Sequence, residues 1–324
     1  MCGENPIWNE TTGRIYWTDQ GGLRLHSFEP ASGQCTLLRS GLQINGFRFN
    51  QAGGFVLTND SGVWLWDGSA GSDGLLLLAS EADGKACCLN DCVADAEGRL
   101  FTGSFFYRPD ADYPLGHLFR VDADGTVSVI DDGIHLSNGL AFSVDFRQLY
   151  FTDSASRWIY AYDYDRVSGG IKNRSVLVQV PLSEGLPDGL VVDAEGFLWS
   201  AQWYGSQIVR YDPDGAVERR IAIPAKQVSC VGFGGTDLED LYVTTAGRSE
   251  PAPTMPPGYD VEHGFFGGPL YRLKPGVRGH NTLKARTPMA IAILRTAISK
   301  AYAWSEIPAT SPASKLSKTS LRRL

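Results

Sequence analysis

The stretch GLAFSVDFRQLYFTD, residues 139–153, decides how this chain is read. A short apolar run (Gly139–Phe142) enters a polar turn around Asp145, and an aromatic segment ending in Thr-Asp follows, which is the pattern of two strands joined by a tight connection. Working outward from it, the same phrase recurs as PIWNETTGRIYWTD from Pro6, GFRFNQAGGFVLTND from Gly46, DCVADAEGRLFTGS from Asp91, GLVVDAEGFLWSAQ from Gly189 and CVGFGGTDLEDLYVTT from Cys230. Six copies in one chain of 324 residues put the period at roughly 40–50 residues, the range of propellers and solenoids.

Between the copies lie further strand signals in pairs: RLHSFEP and CTLLRS after the first, VWLWDG and LLLLAS after the second, RWIYAYDYD and SVLVQVP after the fourth. Each unit thus offers four strands bounded by Gly, Asp, Asn and Pro. The expected fold is all-β, a six-bladed β-propeller of four-stranded antiparallel blades, which protects its sheet edges by radial repetition. The sixth unit supplies CVGFG, DLYVTT and PLYRLKPG but no clear fourth strand. Either an upstream segment or the tail would have to close the ring. The expected organisation is a propeller over residues 1–280 and a basic, poorly ordered tail over 281–324. Within that tail MAIAILRTAISKAYAW could form one amphipathic helix.

Charge supports the division. Eight Lys/Arg against Glu306 give the tail about +7, which leaves about −14 of the net −7 chain on residues 1–280. An acidic body argues against nucleic acid as a partner. No 18-residue apolar run exists to span a membrane, and with no export signal the default compartment is the cytoplasm. Six cysteines in such a chain read as free thiols rather than as a disulfide framework. Asp122-Ala-Asp-Gly and Asp212-Pro-Asp-Gly lie between strand signals and read as hairpin turns.

Inner strands of a propeller converge on its axis, so their first residues are the place to look for chemistry. The residue about five positions before each turn is Glu4, Asn45, Asn90, Asn138, Asp188 and Ser229. Singly, such residues would only begin a strand with an Asx-turn. Six at equivalent positions, 41 to 50 residues apart, place a ring of oxygen carriers around one point. Carboxylates and amides without His or Cys suit a hard divalent cation. His135, three residues before Asn138, stands near the channel mouth, where a surface or core role is the simpler expectation.

The motifs CGENPIW (Cys2–Trp8), LNDCVADAEGRL (Leu89–Leu100), LSNGLAFS (Leu136–Ser143), LPDGLVVDAEGFLW (Leu186–Trp199) and VSCVGFGG with DLYVTTA (Val228–Ala246) resemble the senescence-marker-protein/gluconolactonase family, over residues 2 to about 279. The resemblance implies one divalent metal, calcium first with zinc, magnesium or manganese as alternatives, held by Glu4, Asn138 and Asp188. It further implies Asn90 on the substrate side and Asp188 as general base. Where some members carry an Arg two residues before the ND-motif Asn, this chain has Cys88, and where they carry a Glu it has about Arg108. Arg108, with Tyr107, becomes the candidate substrate contact. The expected activity is hydrolysis of a small-molecule sugar lactone, such as gluconolactone, to the aldonic acid. Another ester or lactone at the same site, or a non-catalytic metal-binding propeller, are the alternatives.

Overall fold

A computed structural model of the protein describes residues 1–69, 74–105, 115–248 and 254–287. Besides a small two-stranded pair, Glu81–Ala82 with Lys85–Ala86, six antiparallel sheets follow one another along the chain, each ordered strictly by sequence from its first strand to its last. Their first strands are Gly3–Asn9, Gly46–Phe49, Leu89–Ala94, Ser137–Phe142, Leu186–Val192 and Val228–Gly234. Five sheets have four strands; the sixth, among the described residues, has three. The chain is a six-bladed β-propeller. The Asp122 and Asp212 turns are hairpins, each closed by a glycine, Gly125 or Gly215, at positive φ. All six cysteines are free. Among the described residues no helix is long and apolar enough to cross a membrane.

Burial follows the radial order. The first strand of the sixth blade is buried along its whole length, whereas the outermost strand of the fifth, Val217–Ala222, mixes exposed and half-buried positions. The apolar cores lie between blades: Ala141, Tyr150 and Ile159 pack against Leu190, Leu198 and Val209 at the fourth junction. At the seam between the last blade and the first, Trp8 stacks on Tyr242 with ring centroids 6.3 Å apart. There a Cβ on Gly232 would come within 1.9 Å of the Pro6 carbonyl oxygen, so only glycine lets the two inner strands meet. Cys2 pairs with Ala246, and the Gly247 amide donates to the Met1 carbonyl at 2.8 Å.

A belt of hydrogen bonds reinforces these junctions. Asn5 Nδ2 donates to the Asn45 carbonyl, Asn45 Nδ2 to Leu89, Asn90 Nδ2 to Ser137, Ser154 Oγ to Pro187 and Ser229 Oγ to Gly3, at 2.6–2.8 Å. Each bond runs from one blade to the inner strand of the next. Because the acceptors are backbone carbonyls where the inner strands begin, the belt fixes where one blade sits against its neighbour.

At the opposite end of the inner strands, residues 278–287 run as a strap. The Gly279 amide donates to Leu238 and the Ala194 amide to Arg278, tying the strap to the last two blades. Ala285 both donates to Phe49 and accepts from Gln51, and the Arg286 amide donates to Gly98, reaching blades two and three. Asn50 adds side-chain bonds to Thr287. The stretch MAIAILRTAISKAYAW lies outside the described residues, as does most of the basic tail.

Candidate metal centre and active site

The inner strands are interrupted at the level of the ring. Register shifts fall between Glu4 and Ile7, Leu89 and Cys92, Ser137 and Leu140, Pro187 and Leu190, and Val228 and Cys230. In such a bulge two residues oppose one partner, and the strand bends so that a side chain is re-aimed. Asn5 takes up the strain in the first blade, with φ at +52°, a conformation asparagine tolerates. Each bulge carries a dyad whose first member is a ring residue and whose second lies one step further along the channel. Where the second member is Gly139 or Gly189, a Cβ would fall 2.2 Å from Leu190 N or Cys230 Sγ. Where there is room, Asn5, Asp91 and Cys230 fill it.

Glu4, Asn45, Asn90, Asp188 and Ser229 are all buried, at 5% exposure or less. Their hydrogen bonds sort them. Asn45 is consumed by the scaffold: its amide donates to Asp60 and Leu89, and its oxygen accepts from Gln43. Ser229 is spent on Gly3 and Thr244. The other four come together differently. Asn90 Nδ2 donates to Asn138 Oδ1 at 2.6 Å, and Asn138 Nδ2 donates to Ser154 Oγ at 2.7 Å. The two amides are thereby fixed, with both Asn90 amide hydrogens engaged and its oxygen left for a ligand. Glu4 Oε2 and Asp188 Oδ1 are buried with no hydrogen-bond partner.

The electrostatics agree with that geometry. Burial first, then the charges of Asp188 and Asp91, push the Glu4 carboxyl well above the usual carboxylate range. Burial and Asp91 do the same to Asp188. Asp91 itself is pushed up to about 6 by burial, against the opposing effects of a hydrogen bond from Asn5 and the charge of Arg48. Among the described residues none of these three carboxylates is in a salt bridge. A buried, unpaired carboxylate is costly unless a proton or a cation neutralises it. Two orphaned carboxylate oxygens beside an oriented asparagine pair therefore fit a hard divalent cation. No group of three His, Cys, Asp or Glu side chains among the described residues is placed to hold a metal ion by itself; two of the four ring members here are amides.

Beyond the second dyad members the channel opens into a cavity of about 100 Å³, lined by Asn5, Arg48, Asp91 and apolar inner-strand residues, with His280–Leu283 of the strap at its far end. Asp91 and Asn5 were not singled out from sequence. Their signal was the polar second position of the EN and ND dyads, where the other units have Gly or Cys. Cys88 donates to the Phe105 carbonyl at 3.1 Å, so the position where some family members have Arg is occupied by a thiol engaged with its own sheet. Arg108 and Tyr107 lie outside the described residues.

With fold and site defined, comparison with known proteins places the chain. Residues 2–247 match the family described as SMP-30/gluconolactonase/LRE-like region. The chain belongs to that family. It is 36% identical over 249 residues to pentonolactonase XacC of Haloferax volcanii, covering 76% of this chain and 81% of that protein. It is 33% identical over 253 residues to a 6-deoxy-6-sulfogluconolactonase of Pseudomonas putida, covering 78% and 86%. Among solved structures, a calcium-binding protein, regucalcin, from Agrobacterium tumefaciens superposes with a TM-score of 0.74 at 26% identity, covering 88% and 94%.

Proposed function

We propose that this lactone hydrolase opens an aldonolactone to the aldonic acid at the ring of Glu4, Asn90, Asn138 and Asp188, with a divalent cation as cofactor. The observation that carries the reading is the pair of buried, unpartnered oxygens, Glu4 Oε2 and Asp188 Oδ1, beside the locked Asn90–Asn138 amides. Glu4, Asn138 and Asp188 would hold the cation, calcium first. Bound there, it would polarise the lactone carbonyl and stabilise charge developing on that oxygen. The protein's own groups do the rest. Asp188 accepts the proton of the attacking water at a carboxylate oxygen. Asn90 presents its amide oxygen to a sugar hydroxyl, since both its hydrogens are committed. Ser154 holds Asn138 in register, and the belt holds the four strand ends in place.

The relatives named pentonolactonase and 6-deoxy-6-sulfogluconolactonase support a sugar lactone as substrate class. The test is proton release on a panel of five- and six-membered aldonolactones. Metal-stripped protein, protein reloaded with Ca²⁺, Mg²⁺, Mn²⁺ or Zn²⁺, and Asp188→Ala would be compared. Turnover that returns with metal and is lost in the variant is expected. Folded, metal-loaded protein that stays at the spontaneous rate would refute the reading.

A further inference from the structure

Beside the ring, on the approach to the fourth inner strand, three side chains form a network that the hydrolytic site does not use. His135 Nδ1 lies 3.1 Å from Asp153 Oδ2 and 2.9 Å from Ser156 Oγ, and Ser156 Oγ lies 2.9 Å from the same carboxylate oxygen. The carboxylate also accepts the backbone N–H groups of His135 and Leu136. In the first blade the equivalent Asp19 likewise accepts backbone amides, from Cys2 and Gly22. Capping the strand entry is thus the shared duty of this aspartate. Blade four adds the imidazole and, as Ser61 does for Asn59 in blade two, a hydroxyl.

Those additions fix a tautomer. A carboxylate can only accept, so Ser156 donates its single hydrogen to Asp153, and the hydroxyl lone pair then faces Nδ1. With acceptors on both sides, Nδ1 must carry the hydrogen. The lone pair is left on Nε2 of a ring whose side chain is 48% exposed. His135 stands three residues before Asn138, a backbone reach of at most about 10 Å. Asp153 is followed directly by Ser154, which holds Asn138. An exposed ring needs no such bracing for stability, whereas a ligand contact does, because its orientation is set before the ligand arrives.

We propose that His135 is a substrate contact that determines specificity: its Nε2 accepts a hydrogen bond from one hydroxyl of the sugar lactone. This rests on the lactonase reading above. The experiment compares wild type, His135→Ala and His135→Gln on a hydroxylated aldonolactone and on analogues each lacking one hydroxyl. His135→Ala should lower kcat/KM roughly tenfold on the full substrate, the scale of one hydrogen bond, and cause no loss on one particular deoxy analogue. His135→Gln, whose amide oxygen can still accept, should recover part of the loss. All three proteins should melt together. An equal loss on every analogue, or no loss at all in an active enzyme, overturns the assignment. Wild type inert towards every lactone overturns the proposed function and this assignment with it.

Discussion

Asp91 offers the sharpest test of the electrostatic picture. Its carboxyl is buried beneath the ring, and its pKa rises from 3.8 to about 6. A group with a raised folded-state pKa contributes stability that is fully present below its unfolded pKa and lost as pH rises through the folded one. Here the window runs from about pH 4 to a little above 6. The shift is about two units at 1.36 kcal/mol each, so ionising Asp91 costs the metal-free fold about 3 kcal/mol. Asp91→Asn keeps an acceptor for Asn5 Nδ2, now 2.9 Å from Oδ1, and removes the charge. Urea unfolding in chelator at pH 4 and pH 8 measures the effect. Relative to wild type, the variant should gain about 3 kcal/mol between the two pH values, and more if relief of Glu4 and Asp188 adds to it. Saturating divalent cation should narrow the gap, because Asp91 then faces a positive charge. Parallel pH profiles in chelator would refute the reasoning.

Other expectations follow from the same structure. Asp188→Asn should stay folded and lose turnover by roughly 10²–10⁴-fold, the range of a general base, read by proton release at saturating metal. Gly189→Ala places a Cβ 2.2 Å from Cys230 Sγ and 2.6 Å from its Cα, so two inner strands must part. A loss of roughly 1–3 kcal/mol or more in chemical denaturation is expected, and an unchanged midpoint would contradict the close approach. Asn50→Ala removes the side-chain bonds to Thr287 and should destabilise by roughly 1–3 kcal/mol through buried groups left unpaired, measured by thermal melting.

The six-fold phrase was readable because every copy must make the same inner strand, turn and second strand, and the aromatic Thr-Asp endings mark them. The ring was readable for the same reason, since six equivalent positions cannot all be chance turn formers. What the ring members do was not. Asn45 and Asn138 look alike in sequence, yet Asn45 spends its amide on Asp60 and Leu89 while Asn138 is aimed by Ser154. That difference comes from bonds between blades, which no local pattern encodes. The bulges that set Asn5 and Asp91 into the channel also leave no periodic trace. The residues of the strap carry neither period 2 nor period 3.6, because their backbone bonds go to loops of other blades rather than to a neighbouring strand.

The seam between the last blade and the first gives the site a history as well as a shape. Glu4 is made long before Ser229, and its wall is incomplete until Ser229 can reach the Gly3 carbonyl. At 5–20 residues per second a ribosome needs roughly 11–45 s to span that interval. Throughout it the first inner strand lacks the Trp8–Tyr242 stack and the neighbour that Gly232 was shaped to admit. On the proposed function, a cation held by Glu4, Asn138 and Asp188 would not guide the early blades and would reward a nearly finished circle. A damaged closing seam should be read out first as lost metal affinity, with the individual sheets still formed.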